Sequence, residues 1–110
     1  MYRLMHLNGG YEINLDSQFN FNRKVVVGRG RANCDISIVS NKDTYIDRLV
    51  SRKHFVLTLN SGFLHTYVTI KDFESKNGTM LNGRKLNKAR TLNHGDVITC
   101  GQTSLRFVTA

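Results

Sequence analysis

The 110-residue sequence predicts an all-β domain, either a sandwich or a barrel. Apolar residues alternate with polar ones or form short runs, and no segment keeps a helical period beyond a turn or two. Gly, Asn, Asp and Ser separate these runs at intervals of about ten residues, as in all-β folds. The length suits a single domain over residues 1–110, which we expect to be the N-terminal module of a longer protein.

Turn residues bound each predicted strand. Asn8-Gly9, Asn77-Gly78 and Asn82-Gly83 are strong turn signals, because Asn and Gly tolerate the positive φ that tight hairpins require. The run Val25 to Val27 is typical of a central strand, whereas the polar, patternless stretch 41–49 predicts a loop. In chain order, strands are predicted near Tyr2–Leu7, Tyr11–Leu15, Lys24–Gly28, Asp35–Ile38, His54–Leu59, Thr66–Asp72, Thr79–Leu81, Val97–Cys100 and Ser104–Thr109.

The charge balance predicts a negatively charged partner. There are 16 Lys and Arg against 8 Asp and Glu, which gives a formal net charge of +8. Such a charge favours nucleic acid, an anionic membrane, or a phosphorylated or acidic protein. One group of cations flanks turn signals and comprises Arg29, Arg31, Arg48, Arg52, Lys53 and Lys76; a second comprises Arg84, Lys85, Lys88 and Arg90.

Several classes of protein and site are not favoured. No stretch approaches the roughly 18 apolar residues of a membrane helix, and the N-terminus lacks a signal peptide, so we expect an intracellular protein without a membrane partner. Cys34 and Cys100 have no CxxC spacing, which argues against zinc and favours two small buried residues in a reducing compartment. The four His lack metal-ligand spacing, so we expect no metal and no cofactor.

A row of four polar residues lies at the mouth of a predicted strand. Ser51-Arg52-Lys53-His54 precedes the alternating run that begins at Phe55, so it is either solvated surface or a site for an anion. A catalytic triad built on Ser51 and His54 would need a third group and an oxyanion hole, which the spacing does not provide. We therefore expect no catalytic residue and no enzyme here, although a longer protein could carry a catalytic domain elsewhere.

Four short motifs follow one another along the chain: Gly28-Arg29, Ser51-Arg52-Lys53-His54, Asn77-Gly78-Thr79 and Asn82-Gly83. In this order and at these separations they closely resemble the GR, SxxH, NGT and NG elements of the forkhead-associated (FHA) domain. The resemblance runs from about Lys24 to Val108, and the first two predicted strands would supply the family's first hairpin. It implies a β-sandwich of two twisted, mainly antiparallel sheets, with the ligand loops at one end.

The resemblance also implies a module that binds phosphothreonine peptides and mediates phosphorylation-dependent protein–protein interaction in signalling. A phosphothreonine carries about −1.5 to −2 charges and three acceptor oxygens, which a planar guanidinium can grip in pairs. By correspondence with the family, the expected phosphopeptide-binding residues are Arg29, Ser51 and Arg52 at the phosphate, Lys76 beside it, and Asn77 on the peptide main chain. The expected structural residues are Gly28, His54, Gly78, Thr79, Asn82 and Gly83, with His54 tying its own loop to the loop of Arg29.

Residues beyond the phosphate would choose the partner. Members of the family often read the third residue after the phosphothreonine. The candidates for that contact are the loop 41–50 and the stretch after Leu81, and Arg48 would favour an acidic side chain. A small pocket for the extra methyl group would favour phosphothreonine over phosphoserine.

Two alternatives stay open. A basic nucleic-acid-binding domain would explain the charge of +8, but the chain has no Trp, no aromatic stacking pattern and no nucleic-acid motif, so direct binding is not favoured. The second alternative is an FHA-fold dimerisation or scaffold domain, and the sequence allows a homodimer. Nuclear residence and a role in the DNA-damage response or the cell cycle are suggested by the family and the basic charge.

Overall fold

The computed structural model describes residues 1–30, 32–38 and 47–109; the predicted loop at 41–49 lies largely outside them, as does Arg31. The described part of the chain contains eleven strands and one short helix. The strands are β1 Tyr2–His6, β2 Tyr11–Asn14, β3 Lys24–Gly28, β4 Ile36–Ser37, β5 Phe55–Ser61, β6 Thr66–Asp72, β7 Thr79–Leu81, β8 Arg84–Lys85, β9 Arg90–Thr91, β10 Val97–Cys100 and β11 Thr103–Thr109, and helix α1 is Asp16–Phe19.

The strands form two mainly antiparallel sheets, in the orders β2-β1-β11-β10-β7-β8 and β4-β3-β5-β6-β9. This architecture confirms the predicted all-β sandwich. In the second sheet Val27 pairs with Phe55, and Phe55 pairs with Asp72. The end of β3, the start of β5 and the end of β6 therefore lie side by side, and the loops attached to them project from one end of the sandwich.

The core forms between the two sheets from alternate residues of each strand. Leu4, Leu105 and Phe107 from one sheet and Phe55 and Leu57 from the other have 0–1% of their surface exposed. Within the predicted continuous run, Val25 and Val27 are fully buried and Val26 is half-buried, so β3 also alternates. The period-two pattern thus decides which face of each strand meets the core.

Three elements of the structure were not predicted. Helix α1 has four residues, and strands β8 and β9 have two residues each. Segments this short carry no measurable period. The two strands are defined by their pairing with a neighbouring strand. Among the predicted strands, β4 is shorter than expected, since it covers Ile36–Ser37 alone.

Both cysteines are free thiols, but they differ in exposure. Cys100 is fully buried as expected, whereas Cys34 is half-exposed and its thiol donates to the carbonyl oxygen of Gly30 at 2.8 Å. Burial, together with the nearby Asp47 carboxylate, raises the pKa of Cys100 to about 12. Burial also raises the pKa of Cys34. Both side chains are therefore protonated at neutral pH and are poor nucleophiles.

His6 is a buried histidine with one unsatisfied nitrogen. Its ring is fully buried and stacks on Tyr11 with centroids 4.6 Å apart. The backbone N–H of Gly9 donates to Nδ1 at 2.9 Å, so the ring proton lies on Nε2, which meets no hydrogen-bond partner among the described residues. Burial lowers the pKa of His6, outweighing a backbone contact that raises it.

The lowered pKa of His6 predicts acid-sensitive stability. The unfolded chain takes up this proton near the ordinary pKa of about 6.5, and the folded chain takes it up only at lower pH. The unfolded state therefore binds more protons in this window, and the free energy of unfolding should decrease as the pH falls from about 7 to 5. Urea unfolding across this range should show the decrease in the wild type and a smaller slope in His6→Asn.

The matched control is His65→Asn, which changes a histidine on an exposed turn. We expect this variant to keep the wild-type slope. An equal slope in the wild type and His6→Asn would contradict the assignment to His6.

Candidate functional site

Three segments converge at one end of the sandwich: residues 29–30 and 32–35 after β3, residues 47–54 before β5, and the loop 73–78 between β6 and β7. Ser51 lies at their junction. The backbone N–H of Arg29 donates to the Ser51 carbonyl at 3.0 Å, and the backbone N–H of Lys76 donates to the Ser51 hydroxyl oxygen at 3.0 Å. The structure thus brings together the sequence motifs that are far apart in the chain.

The hydroxyl of Ser51 is oriented as a donor. Its oxygen accepts from Lys76, and the backbone N–H of Ser51 is already bonded to His54 Nδ1 at 2.9 Å. The hydroxyl proton has no acceptor within the described ranges. Because a hydroxyl both donates and accepts, an oxygen held by Lys76 still offers its proton to an incoming acceptor.

The guanidinium of Arg29 is fixed along one edge. Arg29 is half-buried, and its Nε donates to the backbone carbonyl of Val50 at 2.9 Å. The terminal nitrogens have no hydrogen-bond partner in the part of the chain that the structure describes. The tether leaves the two terminal NH₂ groups as a preorganised pair of donors for an anion.

Gly28 allows the close approach of the loop that carries Arg52. A Cβ at position 28 would overlap the carbonyl oxygen of Arg52, so no larger residue fits without moving that loop. The same carbonyl accepts the N–H of Gly30 at 3.3 Å. The backbone N–H and the exposed side chain of Arg52 form no hydrogen bond with another described residue, so both are further hydrogen-bond donors at this end of the sandwich.

His54 is a structural bridge. Its Nδ1 accepts the backbone N–H of Ser51, so Nε2 carries the proton and donates to the carbonyl of Gly78 at 2.8 Å. The side chain therefore ties its own loop to the loop of Gly78, rather than to the loop of Arg29 as we expected from the sequence; only its backbone N–H reaches β3, at Val27. With both ring nitrogens occupied and none bonded to the Ser51 hydroxyl, His54 is not placed as a general base.

Lys76 and Asn77 are exposed at the rim of the same cluster. Asn77 Nδ2 donates to the carbonyl oxygen of Leu49 at 3.0 Å, which joins the loop 73–78 to the segment before Ser51. The amide oxygen of Asn77 has no partner among the described residues and is available to a main-chain N–H from outside.

A carboxylate network supports this rim from below. Asp72 Oδ1 accepts from the hydroxyls of Ser75 and Thr79, each at 2.6 Å, and Ser75 Oγ accepts from the N–H of Gly78 at 2.9 Å. Burial opposes ionisation of Asp72, but these hydrogen bonds outweigh it and hold the pKa of Asp72 below its ordinary value. Thr79 is fully buried, in line with the structural role expected for it.

Asp47 is a supporting residue that the sequence did not reveal. It is 3% exposed and accepts three hydrogen bonds: from Leu49 N–H at 3.1 Å, from Gln102 N–H at 2.7 Å and from the Thr103 hydroxyl at 2.7 Å. It therefore fixes the segment before Ser51 to the β10–β11 turn of the opposite sheet. A single Asp in a polar stretch gives no sequence signal, because Gln102 and Thr103 lie more than fifty positions away.

Asn82 and Gly83 form the β7–β8 hairpin turn. Their φ angles are 51° and 82°, and two successive positive values are typical of a type I′ turn. Asn82 also accepts the N–H of Val97 at 2.9 Å and donates to Asp96 at 3.0 Å, which braces the approach to β10.

Within the described ranges, none of the helical structure is long and apolar enough to cross a membrane. The same residues do not gather three His, Cys, Asp or Glu side chains into a group that could hold a metal ion.

The fold and the loops define a β-sandwich that presents a cluster of uncommitted hydrogen-bond donors at one end. A family model described as the FHA domain matches residues 25–101. The chain belongs to the FHA domain family, which confirms the resemblance noted in the sequence.

Solved structures match over nearly the whole chain. The FHA domain of CT664 protein from Chlamydia trachomatis is 28% identical, with a TM-score of 0.79 and coverage of 99% of this chain and 97% of that one. Slr1951 from Synechocystis sp. is also 28% identical, with a TM-score of 0.74 and coverage of 99% and 96%. Mycobacterium tuberculosis EmbR, solved with a low affinity phosphopeptide, is 24% identical, with a TM-score of 0.73 and coverage of 97% of this chain and 24% of that one. No curated protein matches the sequence.

The close approach at Gly28 predicts that Gly28→Ala displaces the loop of Arg52. The clash is with backbone, which cannot rotate away, so we expect a loss of about 1–3 kcal/mol in the free energy of unfolding. Amide NMR shifts should change most over residues 51–54. Chemical denaturation and a two-dimensional amide spectrum measure both effects.

Gly10→Ala is the control, because a Cβ at Gly10 meets nothing within 4 Å although its φ is 71°. This variant should lose about 1–2 kcal/mol through backbone strain alone, with no shift changes at residues 51–54. Unchanged shifts at those residues in Gly28→Ala would contradict the proposed contact.

Proposed function

We propose that this FHA domain binds phosphothreonine peptides and thereby mediates phosphorylation-dependent protein–protein interaction. In this proposal Arg29, Ser51 and Arg52 hold the phosphate, Lys76 assists them, and Asn77 bonds to the peptide main chain. The observation that carries it is the geometry at Ser51, whose oxygen accepts the Lys76 N–H and whose hydroxyl proton has no acceptor among the described residues. The neighbouring residue Val50 holds the guanidinium of Arg29 through its carbonyl.

The donors suit a doubly charged ester group. The terminal nitrogens of Arg29, the hydroxyl of Ser51 and the N–H of Arg52 supply fixed directional donors, and the Arg52 and Lys76 side chains add charge. Three or four charge-assisted hydrogen bonds at about 1.5–3 kcal/mol each would anchor the phosphate. Ordering a flexible peptide offsets several kcal/mol of this, so the expected dissociation constant is about micromolar.

Membership of the FHA family supports the proposal, as does the phosphopeptide complex of EmbR, although that protein shares the fold at 24% identity. The cellular location and the pathway are supported by the family and the charge alone. Nuclear residence and a role in the DNA-damage response or the cell cycle stay predictions from the family and the charge, and bacterial proteins are among the structural matches.

Calorimetry with one peptide in three forms tests the proposal. We expect binding to the phosphothreonine form, weaker binding to the phosphoserine form, and none to the unmodified form. Arg29→Ala should weaken binding by about 100-fold, because it removes two charge-assisted hydrogen bonds.

Arg29→Lys is the matched variant for geometry, since it keeps the charge but lacks the planar fork and the Nε tether to Val50. It should recover little of the lost affinity. Full recovery would show that diffuse charge, not oriented donors, holds the phosphate, and equal binding of the unmodified peptide would refute the proposed function.

Leu49 is our candidate for reading the third residue after the phosphothreonine. Its side chain is 46% exposed, and its carbonyl is bonded to Asn77, the residue proposed to hold the peptide main chain. An apolar peptide side chain would bury this exposed surface, whereas Arg48, also exposed, would favour an acidic one.

An oriented phosphothreonine peptide library distinguishes these two possibilities. We expect an apolar preference at that position, reduced in Leu49→Ala and kept in Arg48→Ala. An acidic preference that disappears in Arg48→Ala would assign the contact to Arg48 instead.

A further inference from the structure

The second group of cations lies where both sheets end. Strand β8 is the last strand of one sheet and β9 the last strand of the other. Their side chains and those of the connecting segment supply Arg84, Lys85, Lys88 and Arg90, all exposed, which we call the basic edge. Within the described residues, none of these four side chains forms a hydrogen bond or an ion pair.

The basic edge is concave and held in place. A depression of about 250 Å³ is lined by Leu81, Asn82, Arg84, Lys85, Leu86 and Arg90. Leu86 is 7% exposed, and its N–H donates to the carbonyl of Thr79 at 2.8 Å, so the segment between the two strands is pinned to the core. The cations on either side of Leu86 therefore project from a fixed backbone.

The basic edge is continuous with the proposed phosphothreonine site. Lys85 Cε lies 3.1 Å from the position that a Cβ on Gly78 would occupy, so the Lys85 side chain packs along Gly78. Gly78 directly follows Asn77, which is proposed to hold the peptide main chain. An extended peptide advances about 3.3 Å per residue, so a few residues beyond the phosphothreonine it reaches this edge.

Within the described residues, Asp72 and Asp96 form no ion pair with the cations of the basic edge. Asp72 accepts from the hydroxyls of Ser75 and Thr79, and Asp96 accepts from Asn82 and from the N–H of Asn93. Several uncompensated cations on one concave surface raise the local positive potential, which attracts anionic groups from outside the chain.

We propose that the basic edge is a second anion contact, which takes acidic or phosphorylated residues of the partner protein several positions away from the phosphothreonine. The inference rests on the proposed function of the phosphate site. It defines the partner class more closely. The partner would carry a cluster of negatively charged residues on one side of its phosphothreonine, either N-terminal or C-terminal to it. Continuity with the loop of Asn77 favours a peptide over a nucleic acid as the occupant.

Fluorescence polarisation with four peptides tests this contact. The first carries phosphothreonine with neutral flanks, and the second and third add three Glu about four to six residues away, on the N-terminal or the C-terminal side. The fourth is the acidic peptide without phosphate. The wild type should bind one of the two acidic phosphopeptides about 3- to 10-fold more tightly than the neutral one at low salt, and the ratio should shrink at high salt.

The double variant Lys88→Glu with Arg90→Glu should abolish this ratio while it still binds the neutral phosphopeptide. Lys24→Glu with Arg106→Glu changes the net charge equally, at exposed positions on β3 and β11, and should keep the ratio. Circular dichroism verifies that both variants are folded.

Four outcomes would overturn the inference. A wild-type ratio near one, with the neutral phosphopeptide still bound, would sink the second contact and leave the proposed function intact. An equal loss of the ratio in the control variant would assign the effect to overall charge. A single-stranded oligonucleotide that competes more strongly than the acidic phosphopeptide, and depends on Lys88 and Arg90, would assign the edge to nucleic acid. If no phosphopeptide binds at all, the proposed function fails and this inference fails with it.

Discussion

The end of the sandwich that carries Ser51 depends on one buried imidazole, that of His54. His54 Nδ1 accepts a hydrogen bond from the backbone N–H of Ser51, and His54 Nε2 donates one to the carbonyl oxygen of Gly78. A single buried ring therefore sets the separation between two loops. Ser51, which bonds to this ring, also accepts the backbone N–H of Lys76 at its hydroxyl and the backbone N–H of Arg29 at its carbonyl. The loops are therefore held by the fold before any ligand arrives, which lowers the entropy cost of binding.

Several acidic side chains act within the fold as hydrogen-bond acceptors. Asp47 and Asp72 direct their carboxylate oxygens to backbone or hydroxyl donors, and Asp35, although exposed, accepts the backbone N–H of Val26. These three acidic side chains thus brace loops through hydrogen bonds. Most of the described Lys and Arg side chains are exposed, so the formal charge of +8 is carried largely at the surface.

Period and turn chemistry were enough to predict an all-β fold, either a sandwich or a barrel, because alternation decides which strand face is buried. The family resemblance then favoured the sandwich. Asn82-Gly83 forms the expected tight hairpin, whereas Asn77-Gly78 lies in a loop that joins the two sheets. The order of short motifs was enough to identify the family. What the sequence could not provide were contacts between distant residues: the bonds of Asp47 to Gln102 and Thr103, and the choice of Gly78 rather than the Arg29 loop as the partner of His54. The two-residue strands β8 and β9 were not predicted for a related reason, because only their pairing with neighbouring strands defines them.

The buried carboxylate of Asp47 makes the β10–β11 turn part of the support for the segment before Ser51, although that turn belongs to the opposite sheet. If the 47–54 segment were transplanted into a related scaffold without the β10–β11 turn, the buried carboxylate of Asp47 would lose its hydrogen bonds to Gln102 and Thr103. The transferable unit is thus a pair of segments drawn from both layers.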